Sequence, residues 1–141
     1  MATQAGLPLF GNAFISVNDN DKEKIVPIAK DLQKLGFGIY ATSGTLKRLE
    51  RAGIDAKFVF KVGEGRPNIV DRIINGEVQM IINTPLGKKS RYDEYALSRA
   101  GIDYNILSIT TLSAAIATVE AISTLKKSDL SVKSLQEYFS A

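Results

Sequence analysis

Residues 38–45 read Gly38-Ile39-Tyr40-Ala41-Thr42-Ser43-Gly44-Thr45. The stretch from Gly38 to Ala41 carries a β-branched and an aromatic side chain, as a short strand does. It stops at hydroxyl residues and a glycine, which open helices and turns. A helix through about Ala52 follows, and Gly53 ends it. A strand that feeds straight into a helix is one βα unit, and repeated βα units make a parallel sheet.

Five such units are legible. The first strand runs from Ala13 to Val17 and closes on Asn18, Asp19, Asn20 and Asp21. Ile25, Ile28, Ala29, Leu32 and Leu35 then recur at helical spacing up to Gly36. Pro27 inside that stretch removes a hydrogen bond at a cost of about 3 kcal/mol, which predicts a late helix start or a kink. Strand three spans Lys57 to Phe60. The loop Lys61 to Arg66 follows, and Pro67 opens a helix with Ile69, Val70, Ile73 and Ile74 on its buried face. Strand four, Val78 to Ile82, ends at Asn83, Thr84 and Pro85; the basic loop Gly87, Lys88, Lys89, Ser90 and Arg91 leads to a helix with Tyr95, Ala96 and Leu97. Strand five, Tyr104 to Ile109, ends at Thr110 and Thr111, and the next helix carries Ala114, Ala115, Ile116, Val119 and Ile122 as far as Lys126 and Lys127. The predicted organisation is a linker at residues 1–12, a body at 13–127 and a tail at 128–141. The tail has one short helix that sets Val132, Leu135 and Phe139 on the body.

With 141 residues, 45% hydrophobic and 23% charged, the chain fits one globular domain. A chain of this size buries roughly 70% of its unfolded surface, so it needs no staple. It has no Cys and no His, which excludes thiol nucleophiles, Ser-His-Asp triads and the usual zinc sites. No metal site is expected. Eighteen basic against fifteen acidic side chains leave +3, too little and too interspersed for a nucleic-acid or membrane surface. No apolar run approaches the roughly 20 residues of a membrane span, and no signal peptide is legible. The expected address is the cytoplasm.

In an open parallel sheet the ligand crevice lies beyond the carboxyl ends of the strands. Here those ends supply Thr42, Ser43, Gly44 and Thr45 after strand two, Lys61 after strand three, Asn83 and Thr84 after strand four, and Thr110 and Thr111 after strand five. The turn Thr42 to Thr45 also begins a helix, where unpaired N–H groups and the positive dipole end favour a phosphate. Two readings stay open at each position. The hydroxyls either bind an anion or cap the helix. Lys22, Lys61, Lys88, Lys89 and Arg91 either face a ligand or are solvated. Arg66 either contacts a phosphate or holds its loop shut. Asn83, Thr110 and Thr111 either line the crevice or cap the elements beside them.

The strings Ala41-Thr42-Ser43-Gly44-Thr45, Lys61-Val62-Gly63-Glu64-Gly65-Arg66-Pro67-Asn68-Ile69, Ile82-Asn83-Thr84 and Thr110-Thr111-Leu112 resemble the methylglyoxal-synthase-like superfamily. Within it they are most similar to the C-terminal regulatory domain of the carbamoyl-phosphate synthetase large subunit, from about Gly11 to Leu125. The resemblance implies a three-layer, doubly wound five-stranded α/β domain that makes no product itself and binds effectors of a larger enzyme. Those effectors would be UMP as inhibitor, IMP as activator and, in many members, ornithine. Carried over by motif, Lys22, Thr42, Ser43, Gly44, Thr45, Lys61, Asn83 and Thr84 would hold the nucleotide, chiefly its phosphate, and Thr110 would belong to the ornithine site. No catalytic residue and no cofactor would belong to this chain; ATP, Mg and other metal ions would serve the parent. The partners implied are the catalytic part of the large subunit and the glutaminase small subunit.

Two departures from the resemblance stand out. Pro85 replaces a hydroxyl that some relatives carry, and Pro27 interrupts a helix that is usually unbroken. The sister branch, methylglyoxal synthase, acts on dihydroxyacetone phosphate with aspartates and a histidine. This chain has no histidine, and it carries Arg66 and Thr84 where aspartates are expected. Glu64 and Asp71 are the carboxylates nearby, and both are expected in structural roles. A third reading is an interaction domain whose rim meets only another segment of a larger chain.

Overall fold

A computed structural model describes residues 7–84 and 91–140, with side chains described for residues 7–84 and 94–127. In chain order the elements are β1 (Asn12–Ser16), α1 (Lys22–Lys34), β2 (Gly38–Ala41), α2 (Ser43–Arg51), β3 (Lys57–Phe58), α3 (Ile69–Ile74), β4 (Met80–Asn83), α4 (Arg91–Asp103), β5 (Leu107–Ile109) and α5 (Leu112–Ser140). The sheet is parallel throughout, in the order β3-β2-β1-β4-β5. The chain winds outward from β1 to β3, then crosses back to β4. Its switch point, where a doubly wound sheet opens a crevice, therefore lies between β1 and β4.

In-register pairing sorts the side chains by face. Ala13 stands beside Ile39 and Met80, and Ile15 beside Ala41 and Ile82. These pack under α1, α2 and α5 through Ile25, Leu32, Leu49, Ala115 and Ile122. Phe14, beside Tyr40 and Ile81, points the other way, toward Ile69 and Ile73 of α3 and Leu97 and Ala100 of α4. Helices on both faces of a sheet whose central strands are apolar throughout make the three-layer, doubly wound α/β fold. Each fully buried leucine or isoleucine in these layers contributes roughly 1.5–3 kcal/mol.

Helix ends follow local chemistry. Gly36 has φ +94, and the bonds Gly36 N to Gln33 O and Phe37 N to Leu32 O close α1 as a Schellman motif. Gly53 does the same for α2 at φ +78. α3 opens with a capping box between Asn68 and Asp71. Pro67 thus precedes the helix rather than beginning it.

Several boundaries differ from those expected. α1 starts at Lys22 with Pro27 inside it, so there is no late start. Pro27 is on the exposed side, where water can satisfy the Glu23 carbonyl it leaves free. β3 stops at Phe58, and Phe60 returns only as an isolated bridge to Asn68. β5 begins at Leu107 rather than Tyr104, because Asn105 at φ +56 forms a left-handed turn inside that apolar run. β1 includes Asn12, and Leu7 and Leu9 before it pack on the core. α5 does not stop at Lys127 but continues to Ser140. No glycine or proline lies between Leu112 and Ala141 to end it. Residues 1–6 and 85–90 and the side chains of Arg91, Val132, Leu135 and Phe139 lie outside the described residues.

Candidate anion-binding site at the switch point

The end of β1 is bonded to its neighbours by hydroxyls. Thr42 Oγ1 donates to Ser16 Oγ at 3.1 Å, and Thr45 Oγ1 accepts from Val17 N at 3.2 Å. Thr84 Oγ1 accepts from Asn18 N at 2.9 Å, while its own N donates to Ser16 O at 3.1 Å. Thr42, Thr45 and Thr84 are no more than 2% exposed. These hydroxyls form a buried floor at the strand ends, in which Thr45 and Thr84 satisfy the backbone donors of Val17 and Asn18. Thr42 is the N-cap residue of α2 by backbone position, yet its side chain makes no cap bond. Capping is therefore not what that hydroxyl does.

Ser43 and Gly44 are exposed above this floor, in the first turn of α2, whose leading N–H groups have no partner within the helix. Lys22 lies across them. Its Nζ donates to Val17 O at 3.3 Å and to Asp19 Oδ1 at 2.5 Å. A Cβ on Gly44 would stand 3.3 Å from Lys22 Cε and 3.6 Å from Nζ, so the glycine gives the lysine room. A fixed ammonium and a helix N-terminus face the same space, a combination that attracts anions.

Asp19 is the counter-ion in this arrangement. Its carboxyl is held below its ordinary range first by the hydrogen bond from Lys22, then by the charge of Lys22, with a smaller contribution from Lys61. Lys61 is thus within electrostatic range of Asp19, and its backbone N donates to Glu64 Oε1 at 2.9 Å. Asn83 ends β4 beside Ser16 and is half-buried. Lys22, Thr42, Ser43, Gly44, Thr45, Asn83 and Thr84 therefore stand at the ends of β1, β2 and β4, while Lys61 lies in the segment after β3.

Thr110 faces a neighbouring space. It is exposed and lines a cavity of about 460 Å³ with Asn18, Asp21, Lys24, Thr84 and Ser113. Within that lining Asn18 N donates to Thr84 Oγ1. Thr111 Oγ1 accepts from Ala114 N at 3.1 Å and so caps α5. Arg66 is elsewhere: its guanidinium pairs with Asp71 at 2.7 and 3.2 Å and holds the loop before α3. That pairing and the capping box lower the Asp71 carboxyl, the Arg66 hydrogen bond most. Glu64 and Asp71 each hold local backbone, Glu64 through Lys61 N and Asp71 through Asn68 N.

Ser16 and Asp19 escaped the sequence reading. A hydroxyl closing a strand that is otherwise apolar on both faces was the available signal for Ser16. Among the described residues there is no cluster of three or more His, Cys, Asp or Glu able to hold a metal, and no helix long and apolar enough to cross a membrane.

The MGS-like domain family model matches residues 24–110. The chain is 54% identical over 138 residues to the carbamoyl phosphate synthase large chain, C-terminal section, of Aquifex aeolicus, covering 94% of this chain and 26% of that one. It is 46% identical over 139 residues to the carbamoyl phosphate synthase large chain of Archaeoglobus fulgidus, covering 98% and 13%. The chain therefore spans about a quarter or less of the relatives it matches. Among solved structures, methylglyoxal synthase from Elizabethkingia anophelis superposes with a TM-score of 0.62 at 16% identity, covering 80% of this chain and 79% of that one. That likeness shows a shared fold. By its family model and by these relatives, the chain belongs to the MGS-like domain family.

Proposed function

We propose that this chain is an allosteric effector-binding domain of a carbamoyl-phosphate synthase large chain, whose switch-point crevice takes the phosphate of a nucleotide monophosphate. UMP would act as inhibitor and IMP as activator, and ornithine would occupy the Thr110 cavity. The observation that carries this reading is Lys22 lying over Gly44 at the N-terminus of α2, above a floor of buried hydroxyls. Thr42, Thr45, Asn83 and Thr84 would shape that floor, while Ser43, Gly44, Lys22 and Lys61 would meet the phosphate.

Regulation follows if the effector binds one arrangement of domains more tightly than another, since only differential affinity shifts an equilibrium. The ligase chemistry, its ATP and metal ions, and contact with the glutaminase subunit would belong to the rest of a cytoplasmic enzyme. This chain would be non-catalytic by itself. Around the loop where a lyase of the methylglyoxal synthase type would need a free base, Glu64 accepts from Lys61 N, and Asp71 in the first turn of α3 pairs with Arg66 and closes the capping box.

Calorimetric titration with UMP and IMP tests the reading. Saturable binding that Lys61→Ala weakens at least several-fold is expected. No heat and no thermal shift at millimolar nucleotide, with the chain folded, would overturn it, as would methylglyoxal formation from dihydroxyacetone phosphate.

A further inference from the structure

Lys22 and Asp19 form an ion pair with unequal partners. The lysine side chain is 22% exposed and the aspartate side chain 96% exposed. Lys22 is held from two sides, by Val17 O and by the packing of its chain over Gly44. The Asp19 carboxylate is bonded to the ammonium, with the charge of Lys61 as a weaker influence. Val17 O and Asp19 together take two of the three N–H donors of the ammonium. Any anion arriving at Lys22 therefore meets a fixed cation that already has a loosely held carboxylate.

We propose that Asp19 is an affinity-setting residue of the anion seat: its carboxylate is the resident counter-ion of Lys22, and a ligand phosphate binds by displacing it. The proposal rests on the reading of the seat as a phosphate site and adds to it a built-in competitor. Displacement is feasible because exposed ion pairs are weak and lose further strength to salt. A phosphate brings a charge of about −1.5 to −2 and three acceptor oxygens to the same ammonium, where Asp19 brings one negative charge. The pair so raises a threshold that a dianionic phosphate passes and a singly charged carboxylate does not. The Asn18 side chain accepts from Asp21 N at 3.0 Å and fixes the turn that carries Asp19, so removing the carboxylate leaves the backbone in place.

The test is calorimetric titration of inorganic phosphate into the wild-type chain, Asp19→Asn and Asp21→Asn at one pH and ionic strength. Asp21→Asn removes the same charge from the same turn without touching the Lys22 pair. Asp19→Asn is expected to bind phosphate about two- to five-fold more tightly, the range an exposed pair can withhold, with Asp21→Asn close to wild type. Unchanged or weaker binding by Asp19→Asn, or equal tightening by both variants, would overturn the proposal while leaving the seat intact. Phosphate binding to none of the three proteins would instead remove the reading of the seat on which it rests.

Discussion

Gly44 stands directly under the side chain of Lys22, so close that a Cβ there would lie 3.3 Å from Lys22 Cε. The glycine shapes a site rather than a turn, for its backbone is helical and needs no left-handed conformation. Gly44→Ala therefore separates function from stability. Alanine is the better helix former, by roughly 0.8–1 kcal/mol in a helix interior, and the Lys22 Cε it crowds has to give by only a few tenths of an ångström. Thermal unfolding should show no loss of stability, and calorimetry should show several-fold weaker binding of phosphate and UMP.

Thr84 has the opposite profile. Its hydroxyl is the acceptor for Asn18 N, and the residue is 2% exposed. Thr84→Val keeps the volume and removes the acceptor of that part-buried bond, at a cost of about 0.5–1.5 kcal/mol. Urea unfolding should report that loss. A change below a few tenths would mean that the bond contributes little to joining β1 and β4.

The Asp71 capping box predicts a pH dependence. Its carboxyl is held below the ordinary 3.8, so the folded state binds a proton there less readily than the unfolded chain. The resulting stability is present above the unfolded value and is lost as pH falls through the lower folded one. Melting temperature should fall steeply for wild type below about pH 4. For Asp71→Asn it should start lower and depend less on pH over that window. Parallel curves would show that other carboxylates carry the acid transition.

The order of the five βα units was legible because their strands are short apolar runs ended by polar residues, Asn18, Thr42, Lys61, Asn83 and Thr110. α2 was legible at both ends, but only Gly53 acts locally, for the Thr42 hydroxyl that marks the start bonds Ser16 instead of capping the helix. The extents of β3 and β5 were not: whether Phe60 pairs depends on the neighbouring strand and not on its own propensity, and Tyr104 is taken into the turn after α4 that Asn105 makes at positive φ. The site showed the same split. Which residues stand at strand ends follows from the pattern. That Thr42, Thr45 and Thr84 turn their hydroxyls inward, to Ser16, Val17 and Asn18, depends on partners 26, 28 and 66 residues away. Asp19 read as a turn residue because its role exists only through the reach of Lys22.

Amide chemical shifts test the seat at the atoms that form it. Adding inorganic phosphate or UMP to the isotope-labelled chain should move the Ser43, Gly44 and Thr45 amide resonances together and saturably. A titration that leaves those three still, or moves only Thr110 and Thr111, would contradict the placement of the anion between Lys22 and the N-terminus of α2.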